Sequence, residues 1–379
     1  MKKLAFLLAM IISINLLTLV SSAEISCNAY ILIEASTGRV LNEYNAHERL
    51  SPASLTKIML LLLIAEEINA GRLSFDENVT VTESVYGVDG SVIWLEPGEV
   101  MSVNDLVKAV VISSANDAAV ALAVHISGSE EKFAQEMNRK AHTLRIQNTN
   151  FVNVTGFDHP EHYTSAYDVA IMSSALMREG NYIHFAEFML TRLDSVRTGT
   201  ERETQLVNTN KLALYYKGVE GIKTGTTDNA GFCLSTSALR NDMRLISVVM
   251  GCKNEEGRVD LSEQLLDYGF ENYELYRPDT KTEFDNVHLL DGLERELAVI
   301  EESNTSIVIP KGRGGSVKYE IYLPEKVTAP ILKNQPVGTI TGTLDGEVVY
   351  ESYIVAAHNA PKMTFWKCFT NLIKDFFIF

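Results

Sequence analysis

The chain has 379 residues, a length that suggests two or three domains at roughly 150 residues per domain. Hydrophobic residues make up 46% of it and charged residues 22%, a globular balance that excludes a disordered, collagen-like or disulfide-stapled chain. The formal net charge of −16 argues against nucleic-acid binding, because an acidic surface repels phosphates.

The N-terminus has the pattern of a secretory signal peptide. Met1-Lys2-Lys3 is followed by an uncharged run from Leu4 to Val20 and by the small residues Ser21-Ser22-Ala23. We therefore expect export and cleavage after Ala23. The alternative is a retained membrane anchor, because the apolar run is near the length that spans a bilayer.

The next two thirds of the chain mix strands and helices. A hairpin is predicted for Ala29–Glu34 and Arg39–Tyr44. Apolar periodicity and capping signals then predict helices at Ser54–Asn69, from Ser102, and at Asn116–Ile126, Glu130–Thr143 and Ala166–Glu179. Later strands are predicted at Ile222–Thr226, Phe232–Ala238 and Arg244–Gly251, before a helix from about Arg258 to Tyr268. Strands on both sides of a helical middle predict one sheet with helices packed over it.

The four cysteines leave the disulfide pattern open. They are Cys27, Cys233, Cys252 and Cys368, and three full pairings are possible in an exported chain. Cys233 and Cys252 lie in two apolar segments that neighbouring strands would bring together, so they are the pair to test. Buried free thiols are the alternative. No cysteine and histidine cluster has metal-ligand spacing.

Beyond Tyr276–Asp279 the periodicity changes. From Phe284 to about Ala357 only short strand-like runs occur, and Leu344–Glu347 is a strong hairpin signal, so a small β domain is predicted. The tail is amphipathic: one side of a helical wheel carries Phe365, Trp366, Phe369, Leu372, Ile373, Phe376 and Phe377. This pattern suits a helix lying in a membrane interface, and a terminal helix packed on its own domain is the alternative.

The first chemical motif is Ser54-Leu55-Thr56-Lys57. Residues three apart share a helix face, so Lys57 can reach Ser54 and act as its base once apolar surroundings lower the lysine pKa. Ser129-Glu130-Glu131-Lys132 has the same spacing, but its charged neighbours indicate a solvated helix start.

Two further motifs follow in chain order. Ser114-Ala115-Asn116 connects two helical stretches, where a hydroxyl and a carboxamide can enter one cleft. Lys223-Thr224-Gly225 lies on a strand, so alternation puts Lys223 and Gly225 on one face, and glycine allows a substrate backbone to approach closely. Taken alone, the first of these favours a capped helix in which serine and asparagine bond the local backbone. For the second, the alternative is a turn-rich edge strand.

Together and in this order, the three motifs resemble those of the low-molecular-mass penicillin-binding proteins, the serine-type D-Ala-D-Ala carboxypeptidase family. The resemblance extends to Asn148–Phe151, Gly156–Asp158 and Tyr163–Asp168, and covers essentially the whole chain after the signal peptide. It implies an α/β (α+β) serine β-lactamase/transpeptidase-like fold, with a central antiparallel sheet flanked by helices, followed by a small all-β domain. The predicted domains are a signal peptide (1–23), a catalytic domain (24–280), a β-rich domain (281–358) and an amphipathic membrane anchor (359–379).

The resemblance also implies catalytic roles. Ser54 would attack the penultimate D-Ala carbonyl of a peptidoglycan stem peptide and form an acyl-enzyme, with Lys57 taking its proton. Ser114, with Lys223 near it, would pass a proton to the leaving D-Ala. Asn116 would hold the substrate amide and help to orient Lys57.

Substrate binding is implied for the third motif. The side chains of Lys223 and Thr224 would receive the terminal carboxylate, and Gly225 would lie along the substrate. The amides of Ser54 and Thr226 would form the oxyanion hole. Water would hydrolyse the ester without a metal or cofactor, and β-lactams would inhibit. The implied location is the outer face of the bacterial cytoplasmic membrane, held through the amphipathic tail.

Three alternatives stay open at this point. A β-lactamase shares the motifs, but the class A enzymes carry a Glu-x-x-Leu-Asn segment that is missing here; Asp158 and Glu161 lie in a comparable stretch without that pattern. An endopeptidase that cuts D-Ala cross-links would break a chemically similar bond. A non-catalytic cell-wall binding protein would keep the fold without using the five reactive side chains.

Overall fold

The computed structural model describes residues 27–198, 202–278, 280, 283–302, 305–367 and 369. The predicted signal peptide lies outside the described residues, as does most of the predicted tail helix. The chain divides into two compact units, Met1–Asp267 and Tyr268–Phe379, called here the first and second units.

Seven α-helices have named bounds in the described part of the chain. They are α1 (Lys57–Asn69), α2 (Val103–Ile112), α3 (Asn116–Ser127), α4 (Glu130–Thr143), α5 (Ala166–Arg178), α6 (Tyr182–Leu190) and α7 (Glu255–Asn272). The predicted helix from Ser54 is divided, because a 3-10 turn, Ala53–Thr56, precedes α1. Ser54 therefore lies on the 3-10 turn and Lys57 is the first residue of α1.

The first unit contains nine of the described strands. They are β1 (Ala29–Glu34), β2 (Val40–Tyr44), β3 (Asn78–Thr80), β4 (Val100–Ser102), β5 (Leu193–Thr198), β6 (Arg202–Val207), β7 (Val219–Thr227), β8 (Gly231–Arg240) and β9 (Met243–Cys252). Five of them form an antiparallel sheet in the order β2-β1-β9-β8-β7. Helix α5 packs on β1 and β9, and α6 packs on β7. The predicted antiparallel sheet with helices over it is confirmed.

Burial explains why α1 is apolar on nearly every side. Its residues Ile58–Leu62 are fully buried, and α1 packs against α5 and the 3-10 turn in the main core. A helix surrounded by protein needs no polar face, so its sequence is almost continuously hydrophobic. This core holds Lys57 away from water.

The capping signal at Ser102 is confirmed. The side chains do not form the reciprocal pair of bonds to backbone amides that defines a capping box. The hydroxyl of Ser102 accepts the Asp105 amide at 3.0 Å, as a helix cap does. The Asp105 carboxylate accepts from the Ser102 hydroxyl at 2.9 Å, rather than from a backbone amide.

Helix α6 and the β5–β6 hairpin were not predicted from the sequence. The segment Tyr182–Leu190 is short and has apolar residues on several sides, so it shows no clear helical stripe. The two strands of the hairpin pair with each other and are polar along much of their length, so the alternation typical of a half-buried strand is weak.

A disulfide joins Cys27 to Cys252, and Cys233 is a buried free thiol. The sequence-based candidate pair, Cys233 with Cys252, is therefore wrong. Cys27 precedes β1, whose Ala29 pairs with Met250 of β9, so the strand register brings Cys27 beside Cys252. An irregularity in the β8–β9 register falls at Cys233. A bond between cysteines 225 residues apart restricts the unfolded chain strongly, and bonds of this kind typically contribute about 2–4 kcal/mol.

The second unit is built mainly of strands around its own core, as predicted for the C-terminal part of the chain. They are β10 (Tyr273–Tyr276), β11 (Val287–Leu290), β12 (Glu296–Leu297), β13 (Val299–Glu301), β14 (Ile307–Pro310), β15 (Lys318–Tyr322), β16 (Lys326–Thr328), β17 (Pro336–Leu344) and β18 (Glu347–Ala356). The predicted hairpin is β17–β18, whose turn residues Asp345 and Gly346 both have positive φ.

Among the residues that the structure describes, no helix has the length and apolar composition needed to span a membrane. Residues 365–367 and 369 are helical, and the side chains of Phe365 and Trp366 are largely exposed.

Candidate active site

The 3-10 turn brings Ser54 and Lys57 into direct contact. The Lys57 Nζ lies 3.0 Å from the Ser54 Oγ, so the predicted sharing of one face is confirmed. Ala53, just before the serine, has φ +47°, a left-handed conformation that is unusual for a residue other than glycine. The backbone therefore turns sharply where it presents the Ser54 hydroxyl.

Lys57 is fully buried and is surrounded by acceptors. Its Nζ lies 2.7 Å from the Asn116 Oδ1 and 2.6 Å from the Thr155 carbonyl oxygen. Burial, and then the charge of Lys223, lowers the pKa of the Lys57 amine well below its usual value. A neutral amine has two N–H groups for Asn116 and Thr155, which leaves its lone pair for the Ser54 proton.

Asn116 is the first residue of α3 and is fixed at both ends of its carboxamide. The Oδ1 accepts from Lys57, while the Nδ2 donates to the Asp89 carbonyl at 2.7 Å. Its backbone amide donates to the Ser91 carbonyl at 2.6 Å. These contacts assign the amide orientation, because only the oxygen can face the lysine donor.

Ser114 lies on the connection between α2 and α3, as predicted. Its φ is +63°, and its side chain is buried. The Ser114 Oγ has no hydrogen-bond partner among the described residues. A buried hydroxyl without a partner is costly, which is typical of a group that awaits a substrate atom.

Lys223 lies near the middle of β7, at the edge of the main sheet. Its side chain is buried and its Nζ donates to the Thr224 carbonyl at 3.2 Å. Burial, and then the neighbouring charge of Arg258, lowers the pKa of Lys223 to about 7. Since the charge of Lys223 also lowers the pKa of Lys57, the two amines share one electrostatic environment.

Gly225 allows two parts of the chain to approach closely. A Cβ at this position would lie 3.1 Å from the Ser54 amide nitrogen and 3.1 Å from the Pro52 carbonyl oxygen. The sequence suggested that glycine makes room for a substrate backbone. In the structure, the chain that approaches Gly225 is the turn that carries Ser54.

A cavity of about 390 Å³ opens over these residues. Its lining includes five of the eight predicted site residues, Ser54, Ser114, Thr224, Gly225 and Thr226. Lys57 contacts both Ser54 and Asn116, and Lys223 acts on Lys57 through its charge. The structure therefore brings all three motifs together.

Arg258 is a cavity residue that the sequence did not reveal. Its buried guanidinium donates to the Gly225 carbonyl at 3.2 Å and to the Thr226 Oγ1 at 3.1 Å. The carboxylate of Glu255 accepts from Arg258 and also from Lys211, at 3.1 and 2.7 Å. Arg258 was placed at a helix start, and nothing in its neighbourhood in the sequence distinguishes it from a solvated charge.

Thr155 and Gly156 were also missed as site residues, although they fall in the stretch that carried the resemblance. Thr155 acts through its carbonyl oxygen, which every residue type has, so no sequence signal exists for it. Gly156 has φ +90°, and a Cβ there would lie 1.8 Å from the Ala53 carbonyl oxygen. Only glycine permits this contact with the turn that carries Ser54.

The second Ser-x-x-Lys sequence has the predicted structural role. The Ser129 Oγ accepts the Lys132 backbone amide at 3.2 Å and caps α4. Spacing alone therefore did not distinguish the two matches, but the apolar neighbours of Lys57 did.

A serine hydroxyl beside a buried lysine, open to a cavity lined mostly by polar residues, defines a serine hydrolase that uses a lysine base. The Peptidase_S11 family, described as D-alanyl-D-alanine carboxypeptidase, matches residues 17–254, and the penicillin-binding protein 5 C-terminal domain matches residues 270–362. The chain belongs to the D-alanyl-D-alanine carboxypeptidase family.

Individual relatives agree with this assignment. The chain is 40% identical to the D-alanyl-D-alanine carboxypeptidase DacF of Bacillus subtilis over 339 residues, which cover 88% of this chain and 86% of that protein. It is similar to the crystal structure of penicillin-binding protein 5 from Haemophilus influenzae, with a TM-score of 0.82, 31% identity and coverage of 90% and 100%. Penicillin-binding protein D2 from Listeria monocytogenes in its ampicillin-bound form gives a TM-score of 0.58 and 30% identity, covering 66% of this chain and 99% of that one.

Proposed function

We propose that this enzyme removes the terminal D-Ala from peptidoglycan stem pentapeptides through an acyl-enzyme on Ser54. One observation carries the proposal: a fully buried lysine amine lies 3.0 Å from the hydroxyl of Ser54, a residue that lines the cavity. The substrate assignment follows from the family and its relatives.

Acylation begins with proton transfer from Ser54 to the neutral Lys57 amine. The Ser54 Oγ then bonds to the carbonyl carbon of the penultimate D-Ala. The backbone amides of Ser54 and Thr226 receive the oxyanion, and such preorganised donors typically contribute about 3–4 kcal/mol each. Asn116 keeps Lys57 aimed at the serine during this step.

Departure of D-Ala requires a proton on its nitrogen. We assign this transfer to the Ser114 hydroxyl, which has no hydrogen-bond partner among the described residues and which takes a proton in turn from a lysine. A pKa of about 7 lets Lys223 carry this proton near neutral pH.

The third motif and Arg258 receive the terminal carboxylate of the substrate. Lys223 offers charge and Thr224 offers a hydroxyl, while Arg258 of α7, which donates to the Gly225 carbonyl, adds a second charge. Water then attacks the ester carbonyl and gives a proton to Lys57, which passes it to the Ser54 Oγ as the ester C–O bond breaks. The serine hydroxyl and the neutral lysine are thereby restored.

β-Lactams are expected to inhibit by forming an acyl-enzyme that is hydrolysed slowly, because the candidate carboxylates are engaged away from Ser54. Glu255 lines the cavity, but its carboxylate accepts from Arg258 and Lys211. The Asp158 carboxylate accepts from the Thr227 hydroxyl at 2.8 Å, and Glu161 is exposed. Neither is among the residues that line the cavity, so neither is placed as the deacylating base of a β-lactamase.

The decisive experiment is brief exposure of the purified protein to benzylpenicillin, followed by peptide mapping in a mass spectrometer. We expect one stable adduct, on Ser54, and release of D-Ala from a synthetic pentapeptide. Ser54→Ala should remove both, because it removes the hydroxyl that contacts the lysine base. Ser129→Ala is the matched control: it removes the serine of the other Ser-x-x-Lys sequence, and both activities should remain.

Each competing function predicts a different result. Rapid turnover of many penicillin molecules per enzyme would indicate a β-lactamase. Cleavage of cross-linked dimers at a higher rate than release of terminal D-Ala would indicate an endopeptidase. An unlabelled Ser54, with no product from either peptide, would leave only a binding protein.

We also propose that the protein is exported and held peripherally on the outer face of the cytoplasmic membrane. The pattern of residues 1–23 supports export, and a disulfide suits an oxidising compartment. The exposed aromatic side chains of Phe365, Trp366 and Phe369 support an interfacial helix.

Truncation after Ala360 is expected to release the mature protein from membranes into the soluble fraction. A full-length variant with Phe365, Trp366 and Phe369 replaced by serine should be released in the same way, because the apolar contacts are lost while the tail remains. The distribution of each protein is measured by sedimenting the membranes and assaying activity in the pellet and the soluble fraction. Truncated protein that still sediments with membranes would contradict the proposed anchor.

A further inference from the structure

The loop 151–162, called here the Thr155 loop, contains a buried histidine without an assigned role. The loop presents the Thr155 carbonyl to Lys57 and places Gly156 against Ala53. At its end, His162 is only 2% exposed. Its ring therefore lies inside the protein, close behind the Ser54 turn.

The two ring nitrogens of His162 join the loop to that turn. The Nδ1 accepts the backbone amide of Val152 at 3.0 Å, so this nitrogen carries no proton. The proton is then on Nε2, which donates to the Thr56 hydroxyl at 2.8 Å. Thr56 is fully buried and lies between Ser54 and Lys57 in the sequence.

We propose that His162 is a positioning residue, which clamps the Thr155 loop to the Ser54 turn and so keeps the Lys57 amine aimed at Ser54 and shielded from water. This inference rests on the roles proposed above for Ser54 and Lys57. His162 acts through Thr56 and the loop, and does not touch the substrate.

The surroundings of His162 keep it in the form that the clamp needs. Burial, followed by the charge of His159, lowers the pKa of His162 to about 4; Lys57 acts in the same direction and Asp158 opposes it. A neutral imidazole offers one donor and one acceptor, which is what Thr56 and Val152 require. Protonation would place an N–H against the Val152 amide and break the clamp.

Other contacts hold the loop independently of His162. The side chain of Asn138 exchanges two hydrogen bonds with the Phe151 backbone, both at 2.8 Å. Glu130 accepts the Val154 amide at 3.0 Å. The loop is thus expected to stay folded when the histidine is replaced, so that its position rather than its existence changes.

Two conservative variants separate the halves of the clamp. His162→Gln keeps an N–H donor at the place of Nε2, whereas His162→Asn keeps an acceptor at the place of Nδ1. His162→Phe keeps the ring volume and removes both. Phe185→Leu, a fully buried change in α6, serves as the control for a loss of stability alone.

The measurement is the rate of Ser54 acylation by benzylpenicillin across pH, with thermal unfolding of each variant alongside. We expect His162→Phe and His162→Asn to acylate up to about 10²-fold more slowly, the loss that a misplacement near 1 Å can cause. His162→Gln should recover most of the rate. Phe185→Leu should lower the unfolding temperature without changing the acylation rate of the folded protein.

The pH profile provides a readout that lost stability would not move. Because burial is the main cause of the low Lys57 pKa, water that enters behind a loosened loop raises that pKa. As the pH is lowered, acylation by His162→Phe should therefore decrease at a higher pH than acylation by the wild type, because the Lys57 amine becomes protonated sooner. Nitrogen NMR of the wild type should show a protonated Nε2 and an unprotonated Nδ1 at neutral pH.

Acylation of the wild type is measured first, and its absence would reject the proposed function itself. With an active wild type, unchanged rates and pH profiles in His162→Phe and His162→Asn would overturn the inference. A proton on Nδ1 would overturn it as well. If His162→Phe fails to fold, the comparison of His162→Gln with His162→Asn tests the inference. Equal acylation rates for these two variants would contradict a clamp through Thr56.

Discussion

Replacing Lys57 by methionine is expected to slow acylation of Ser54 by about 10⁴-fold, at the upper end of general-base effects. The methionine side chain is apolar and nearly as long as that of lysine, so the buried space stays filled. It has no amine to accept the serine proton. The measurement is the rate of benzylpenicillin labelling under single-turnover conditions. Lys132→Met is the matched control, since its side chain belongs to the Ser-x-x-Lys sequence that caps α4.

The same variant has a testable effect on stability. The pKa of Lys57 is lower in the folded protein than in the unfolded chain, so the unfolded chain binds more protons at a pH between these two values. The wild type therefore gains stability from this group as pH rises through that window, by up to about 1.4 kcal/mol per pH unit. Lys57→Met should lack this gain. Parallel stability curves for the two proteins just below the pKa of a free lysine, about 10.4, would contradict a lowered Lys57 pKa in the folded protein.

Replacing Gly156 by alanine is expected to destabilise the protein by about 4 kcal/mol or more and to remove most acylation. The added Cβ would lie 1.8 Å from the Ala53 carbonyl oxygen and 3.0 Å from the Ser54 amide nitrogen. No backbone tolerates such contacts, so either the Thr155 loop or the Ser54 turn must move. Urea unfolding and penicillin labelling measure the two effects.

A second glycine separates the steric effect from the conformational one. Gly87 has a similar φ of +74°, but a Cβ there would meet nothing within 4 Å. Gly87→Ala should therefore cost only about 1–2 kcal/mol, the penalty of a left-handed conformation, and leave acylation intact. Equal effects of the two substitutions would show that the contact with Ala53 is unimportant.

The parts of the site that the sequence predicted are side chains with distinctive chemistry. Ser54 and Lys57 could be recognised because their spacing and apolar setting follow from helix geometry. The Thr155 carbonyl could not, since its role depends on how a loop folds back over the turn. Arg258 reaches the site from a helix start, where charged residues are common, so its sequence context carried no information.

In the fold, too, local features could be predicted from the sequence, while features that depend on distant parts of the chain could not. The hairpin Ala29–Tyr44 was predictable from its alternation, and the buried sheet strands β7 to β9 from their short apolar runs. The cysteine pairing was not, because it depends on the register of β1 against β9, strands far apart in the sequence. Two candidate strands were judged neighbours correctly, and the wrong cysteine was still chosen. Register is set by long-range packing, which a single sequence does not display.

The bond between Cys27 and Cys252 makes most of the first unit a covalent ring. A protease that cut one exposed loop anywhere inside that ring would open it without producing separate fragments. Ser54 and Lys223 would remain tethered through the sulfur bridge even when the peptide backbone between them was broken. The catalytic halves of a singly nicked molecule would come apart only after a reductant had reached the bridge.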